Sequence, residues 1–475
     1  MRFLIVPLMG ASGSSINSES DFLVYRHLID AFADIGANAY FYFLLPEKAK
    51  KHVTDAEMRH SNFEYLFDDI WSGMSFYDQV SLPSKVVDLF HPVYGTRPID
   101  MIITSRSHSA MYMRRLFMDR SGVEIPVGII EPKVSSVISS LNHNETFFID
   151  MMSRVSGYCT SLNLFSTEVE KAEAIRACAR YASPAMVKQM SANSVIMPLG
   201  LRIGELDSVI SSTPKKEKFT LFWGGRMNAN KRYDDVIRLM DKFYAFGRNV
   251  EILVNSTLSE TGKFGELKKK CFVKGTGGNL SREEYLKTIA SCHIGLCMSN
   301  VEGCPVGFIE QVYCGIVLIL PKRDWVRGVF GTEYPFVYDT EDEAYILMRY
   351  IYENYEEAKK KMVPVLEMIR TKYFVVNSVR ILISETQKYI KQFNDKCETL
   401  FYKGWRTLTD EILIEKEMSF SQIVARIKEK AEMPAQVCHQ TQMCTYLTQR
   451  DLYKYIIEKG YVDKCDSPEP VFVKS

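Results

Sequence analysis

The stretch Glu302-Gly-Cys-Pro-Val-Gly-Phe-Ile-Glu310 sets two carboxylates, with seven residues between them, around a Gly/Pro turn. Upstream, His293-Ile-Gly-Leu-Cys-Met-Ser299 has the length and apolar continuity of a short buried parallel strand, and Gly315-Ile-Val-Leu-Ile-Leu320 downstream reads as the next one. Parallel neighbours need a crossover, so residues 307–314 are expected to form a helix whose first turn lies at the carboxyl edge of the sheet. Ligands of open α/β sheets bind at that edge, and free N–H groups at a helix start favour anionic or hydroxyl-rich molecules. Glu302 would project from the loop and Glu310 from about one turn inside the helix, so both reach one ligand. Carboxylates are natural acceptors for paired hydroxyls.

A second constellation lies earlier, in Phe219-Thr-Leu-Phe-Trp-Gly-Gly-Arg-Met-Asn-Ala-Asn-Lys-Arg232. A strand ends in two glycines that let the backbone approach a ligand, and Arg226 and Lys231 follow. Arginine holds a phosphate with two parallel hydrogen bonds and lysine adds a compact charge, so the pair can neutralise a diphosphate. By itself the same pattern also describes an ordinary strand-loop-helix turn with solvated cations.

Together the two segments resemble the donor half of the GT-B glycosyltransferases, specifically the large retaining family with a Glu-x7-Glu signature. The likeness runs from about residue 219 to 342. It implies that Gly225, Arg226 and Lys231 bind a nucleotide diphosphate, that Glu302 sits by the donor sugar and that Glu310 holds the nucleotide ribose. The backbone from Cys304 through Pro305, Val306 and Gly307 to Phe308 would contact sugar and phosphate. Here the chain departs from the family, which commonly reads Gly-Phe-Gly where this sequence has Cys304-Pro305-Val306 before Gly307-Phe308. The resemblance further implies a nucleotide diphosphate sugar as donor, UDP-sugar favoured, and chemistry without a catalytic metal. It implies a fold of two Rossmann-like doubly wound parallel-sheet domains facing a cleft.

At 475 residues the chain is long enough for two or three domains, and 46% hydrophobic residues supply large cores. A net charge of +1 excludes bulk attraction to polyanions, though not local patches. The segment Met1-Arg-Phe-Leu-Ile-Val-Pro-Leu-Met reads as a strand entering a glycine loop, too short and too soon interrupted for a signal peptide, and no apolar run is long enough to span a membrane. Eleven cysteines without pairwise spacing suit reduced thiols, so a soluble cytoplasmic protein is expected, in the host cytoplasm if the source is viral.

The N-terminal half alternates strands (3–8, 38–45, 101–104, 127–130 and 157–160) with helical patterns such as 19–35, around an irregular aromatic-rich insertion at 60–98. This alternation implies an acceptor-side doubly wound sheet over residues 1–200. Gly10 and the turn to Ser15 either line the cleft or only serve a tight turn. A linker around residues 195–202 and 211–218 leads to a donor domain over 215–375, followed by a crossover helix at 376–400, and domain closure would turn on these crossings. Family members often place an acceptor-domain histidine near the sugar. His108, with Arg106 beside it, is the best-placed candidate, the other reading being a satisfied loop histidine.

Residues 401–475 exceed what that architecture needs. Ser419-Phe-Ser-Gln422 and Thr448-Gln-Arg-Asp451 each open a helix with a capping pattern, the second stopping at Gly460, before a hairpin around a polar Pro turn in 461–473. Helix, helix, hairpin resembles a winged helix-turn-helix, in which Gln449, Arg450 and Lys454 would face a major groove; a protein-docking or purely structural tail fits the same pattern. Cys438, His439, Cys444 and Cys465 match no common zinc spacing. A DNA-binding tail together with viral enzymes of this fold that glycosylate hydroxymethylated pyrimidines makes DNA the sharper acceptor expectation. The alternatives are a glycan, protein or small-molecule acceptor, or a catalytically inactive nucleotide-sugar or DNA-binding scaffold.

Overall fold

The computed structural model describes residues 1–7, 20–52, 63–68, 90, 99–105, 107–121, 125–130, 145–225, 229–247, 249–255, 270, 273–275, 280–397, 417–419, 422–423, 426, 456–463 and 471–474. Two parallel sheets dominate it. The first comprises β1 (Arg2–Val6), β2 (Tyr40–Pro46), β3 (Phe63–Asp68), β4 (Met101–Thr104), β5 (Val127–Ile130), β6 (Leu162–Phe165) and β7 (Ser194–Ile196), in the spatial order β3-β2-β1-β4-β5-β6-β7. The second comprises β8 (Phe219–Gly224), β9 (Val250–Asn255), β10 (Val273–Gly275), β11 (Ile294–Leu296), β12 (Val317–Pro321) and β13 (Val337–Tyr338), in the order β10-β9-β8-β11-β12-β13. Each sheet starts in its middle and winds outward both ways. The order therefore reverses between β1 and β4 and between β8 and β11, and these switch points open crevices at the carboxyl ends of the strands.

Helices cover both sheets: α1 (Ser20–Asp34), α2 (Ser107–Ser121), α3 (Glu145–Thr160), α4 (Glu168–Cys178), α5 (Pro184–Ala192) and α6 (Ile203–Ser212), then α7 (Tyr233–Phe246), α8 (Arg282–Ser291), α9 (Val306–Tyr313), α10 (Asp324–Phe330), α11 (Glu341–Glu353), α12 (Tyr355–Lys372) and α13 (Val375–Cys397). The helix α13 returns to the first sheet, where Val379, Leu382, Tyr389 and Phe393 join the core that contains Phe3, Phe32 and Phe41. Its Tyr389 hydroxyl donates to the Thr160 carbonyl at 2.9 Å, and Ser378 Oγ donates to the Pro198 carbonyl at 2.6 Å. Lys215 pins the approach to β8. Its Nζ donates to the carbonyls of Cys292, Cys314 (3.4 Å) and Gly315 (3.2 Å), just past α8 and α9, where helix dipoles favour a cation. Burial lowers the Lys215 pKa to about 8.

Several elements differ from the sequence reading. Residues 157–160 are not a strand but the last turn of α3. Gly157 is there because α3 crosses α2 closely: a Cβ at that position would lie 1.9 Å from the Ser107 carbonyl oxygen. The aromatic insertion contributes β3, which pairs in parallel with β2 from Phe41↔Phe63 to Pro46↔Asp68. The stretch taken as linker holds the edge strand β7 and the helix α6. In the tail, β14 (Glu417–Ser419), β15 (Tyr461–Asp463) and β16 (Val471–Lys474) form an antiparallel sheet in the order β14-β16-β15. The Ser419 N–H donates to Gln422 Oε1 at 2.9 Å and the Gln422 N–H to Ser419 Oγ at 3.3 Å, the reciprocal cap read from sequence, whereas β14 ahead of it was not foreseen. Gln449, Arg450, Lys454, Cys438, His439, Cys444 and Cys465 lie outside the described residues. Among the described residues no helix is long and apolar enough to cross a membrane.

The α2–α3 crossing yields a paired test. Gly157→Ala forces backbone against backbone and is expected to destabilise the protein by about 2–3 kcal/mol or more in urea unfolding. Gly204→Ala, where an added Cβ meets nothing within 4 Å in α6, is expected to be neutral or to gain up to about 1 kcal/mol. Equal effects would refute the packing account.

Candidate functional site

The crevice at the β8/β11 switch point is built from two loops. Leaving β8, the Gly225 N–H donates to the Asn255 carbonyl at 3.1 Å, and the chain turns through a 3-10 segment, Ala229–Lys231. Arg232 follows with φ of 48°, a left-handed conformation that a non-glycine residue adopts only when its surroundings impose it. Its Nε–H donates to Asp235 Oδ2 at 2.5 Å. From β11 the chain runs through residues 297–305 into α9. The Asn300 N–H donates to the Asn230 carbonyl at 3.2 Å, and Asn230 Nδ2 donates to the Val301 carbonyl at 3.0 Å. This stitching delivers Lys231 Nζ to Glu302 Oε1 as an ion pair whose side chains are 20% and 14% exposed. Lys231 Nζ also stands 5.4 Å from the centre of the Phe308 ring, which stacks on Trp325 with centroids 6.2 Å apart.

Glu310 lies inside α9 as read from sequence, although the helix begins at Val306, one residue before the expected 307. Its side chain is 4% exposed and pairs with Arg282 Nη2 at 2.5 Å. Arg282 is the first residue of α8, within the Ser281/Glu284 capping box that the sequence predicted, and it stands 3.6 Å from Glu205. Sequence reasoning passed over Arg282, having used its segment only for the cap. The available signal was position: an arginine at a helix start on the carboxyl side of the same sheet. Around it runs a charged seam between the two sheets. On α1, His27 has its pKa lowered to about 3, by burial first and then by Arg282, Arg202 and Arg26. Arg202 donates to Asp30 at 3.0 Å, and Arg26 lies 3.9 Å from the same residue.

The turn Cys304-Pro305 leans on the first sheet. Cys304 packs against both large cores and bonds to the Leu199 backbone and the Ser166 side chain, while burial pushes its thiol up to about 12. Pro305 supplies no side-chain cap to α9, and Gly307 lies where an added Cβ would be 3.3 Å from the Tyr285 hydroxyl. His108 is the second residue of α2, buried, beyond the carboxyl end of β4 and hence beside the other switch point. Gly10, Arg106 and Arg226 lie outside the described residues. Among the described residues no group of His, Cys, Asp and Glu could hold a metal ion.

The architecture is GT-B. The chain superposes on sucrose-phosphate synthase from Thermosynechococcus elongatus with a TM-score of 0.62 at 12% identity, covering 83% of this chain and 100% of that one. HepE from Anabaena, in complex with UDP-glucose, gives 0.58 at 14% identity over 82% of this chain and 100% of its own. The α,α-trehalose 6-phosphate synthase from Burkholderia multivorans gives 0.58 at 11% identity over 85% and 99%. No protein-family model and no curated protein sequence matches the chain.

The Lys231–Glu302 pair can be tested without ligand. Lys231→Met removes the cation paired with a largely desolvated carboxylate, so it should destabilise more than Glu302→Gln/Lys231→Met does relative to Glu302→Gln alone. The expected coupling is about 1–3 kcal/mol in a urea double-mutant cycle. Additive effects would mean that the two side chains do not interact in solution.

Proposed function

We propose that the protein is a glycosyltransferase that moves a sugar from a UDP-sugar to an acceptor hydroxyl with retention of configuration. The observation that carries this reading is the Lys231–Glu302 pair facing the β8/β11 crevice with Glu310 on the helix that follows, in the fold of proteins such as HepE, which was crystallised with UDP-glucose. Lys231, with Arg226 beside it in sequence, neutralises the diphosphate as its bond to the sugar lengthens. Glu302 orients the sugar ring, Glu310 takes the ribose hydroxyls, and the backbone from Cys304 to Phe308 lies along sugar and phosphate. His108 approaches the sugar from the first sheet.

In the proposed step the acceptor oxygen bonds to the anomeric carbon on the face from which the diphosphate oxygen departs, and the acceptor proton passes to that leaving oxygen. The protein then acts chiefly by positioning the reactants and stabilising charge. A cation on the diphosphate contributes about 1.5–3 kcal/mol, so Lys231→Ala is expected to lower kcat/KM for donor by about one to two decades.

For the acceptor we infer a hydroxymethylated pyrimidine in duplex DNA, flipped into the cleft. Support comes from the tail, where β14 precedes the capped segment at Ser419 and pairs with the closing strand of the β15–β16 hairpin, as the first strand of a winged helix-turn-helix pairs with its wing. The test incubates the chain with a panel of UDP- and GDP-sugars, alone and with hydroxymethylated or unmodified duplex. Labelling of the modified duplex only, lost when residues beyond 400 are removed while donor hydrolysis persists, is the expected result. Donor hydrolysis with no DNA labelling would move the acceptor to a glycan, protein or small molecule. Donor binding with neither hydrolysis nor transfer would refute the enzyme.

A further inference from the structure

Arg282 has three properties that an ordinary surface ion pair lacks. It is bonded to a carboxylate that is 4% exposed, through Nη2 at 2.5 Å. A second carboxylate, Glu205, stands 3.6 Å away and fixes the direction of the guanidinium. Its Nε is buried and has no hydrogen-bond partner among the described residues. A buried donor left unsatisfied is unfavourable, and a buried ion pair is generally no more stabilising than an apolar pair of the same volume, so stability alone does not account for this arrangement. The guanidinium sits on the first residue of α8, and Glu310 lies one turn into α9. Both residues therefore stand at the carboxyl side of the sheet that carries Lys231 and Glu302.

We propose that Arg282 is a positioning residue for the nucleoside end of the donor: Nη2 holds Glu310 in the orientation that accepts from the ribose hydroxyls. This rests on the donor reading above. A planar guanidinium presents its donors to the carboxylates in one rigid fork, whereas a lysine ammonium carries the charge without the fork. Arg282 thereby makes recognition of the ribose 2′-hydroxyl depend on a residue that no signature spacing marks.

The test measures binding of UDP and 2′-deoxy-UDP by calorimetry to the full chain and to its Arg282→Gln, Arg282→Lys and Glu310→Gln variants, together with the Arg282→Gln/Glu310→Gln double variant. The wild-type protein should prefer UDP by about tenfold, the worth of one charge-assisted hydrogen bond. Arg282→Gln and Glu310→Gln should each bring the preference close to unity, and the double variant should lose nothing more. Arg282→Lys, which keeps the charge and guards against a folding defect, should hold the melting temperature near wild type and still lose most of the preference. A variant at Arg282 that retains the wild-type preference with altered stability would make the residue structural and overturn the proposal while leaving the donor site standing. A wild-type protein that binds neither nucleotide would overturn the donor reading and this proposal with it.

Discussion

The parallel pairing of β11 with β8, through Ile294↔Leu221 and Gly295↔Phe222, is the constraint on which the site depends. These strands are more than seventy residues apart in sequence, and β9 and β10 are laid down between them on the far side of β8. Because the winding direction reverses at β8/β11, the loops leaving the two strands diverge toward opposite flanks and leave a crevice. Asn230 then ties them, with its carbonyl accepting from Asn300 and its side chain donating to Val301. The meeting of Lys231 with Glu302 follows from this backbone stitching rather than from their charges alone. An exposed ion pair is worth too little to organise two loops.

Among the described residues of the crevice and the adjoining seam, charges are locally paired. Lys231 faces Glu302, Arg282 faces Glu310 with Glu205 nearby, and Arg202 faces Asp30. Such pairing is what partial desolvation demands, since a lone buried charge is far more unfavourable than a matched pair. It also bears on the proposed chemistry. In the proposed reaction an incoming diphosphate would compete with Glu302 for Lys231, freeing the cation and the carboxylate together.

The two sheets are joined by more than a hinge. The helix α13 buries Val379, Leu382 and Phe393 in the first core, Lys215 anchors the entry to the second sheet on three carbonyls, and Cys304 packs against both cores. His27 stands among Arg26, Arg202 and Arg282 and stays neutral in that setting, so that α1 meets the arginine that grips Glu310 without adding charge. Cys304 thus ties the turn before α9 to the Leu199 backbone and the Ser166 side chain.

The sequence by itself determined the parallel α/β class, the two loops that meet at the β8/β11 switch point, the α9 helix that carries Glu310, the Ser281/Glu284 and Ser419/Gln422 caps and a terminal helical pattern, because each is set by local periodicity, capping or turn chemistry. It misassigned 157–160, where β-like composition lost to a helix crossing that needs a glycine for backbone clearance, and it missed β3, which pairs with the preceding strand β2, and β14, whose edge position is fixed by a partner more than fifty residues further along the chain. Only the tertiary structure decided that Lys231 pairs with Glu302 and that Arg282 pairs with Glu310. Those contacts arise from the order in which distant strands are laid side by side, and no local pattern encodes that order.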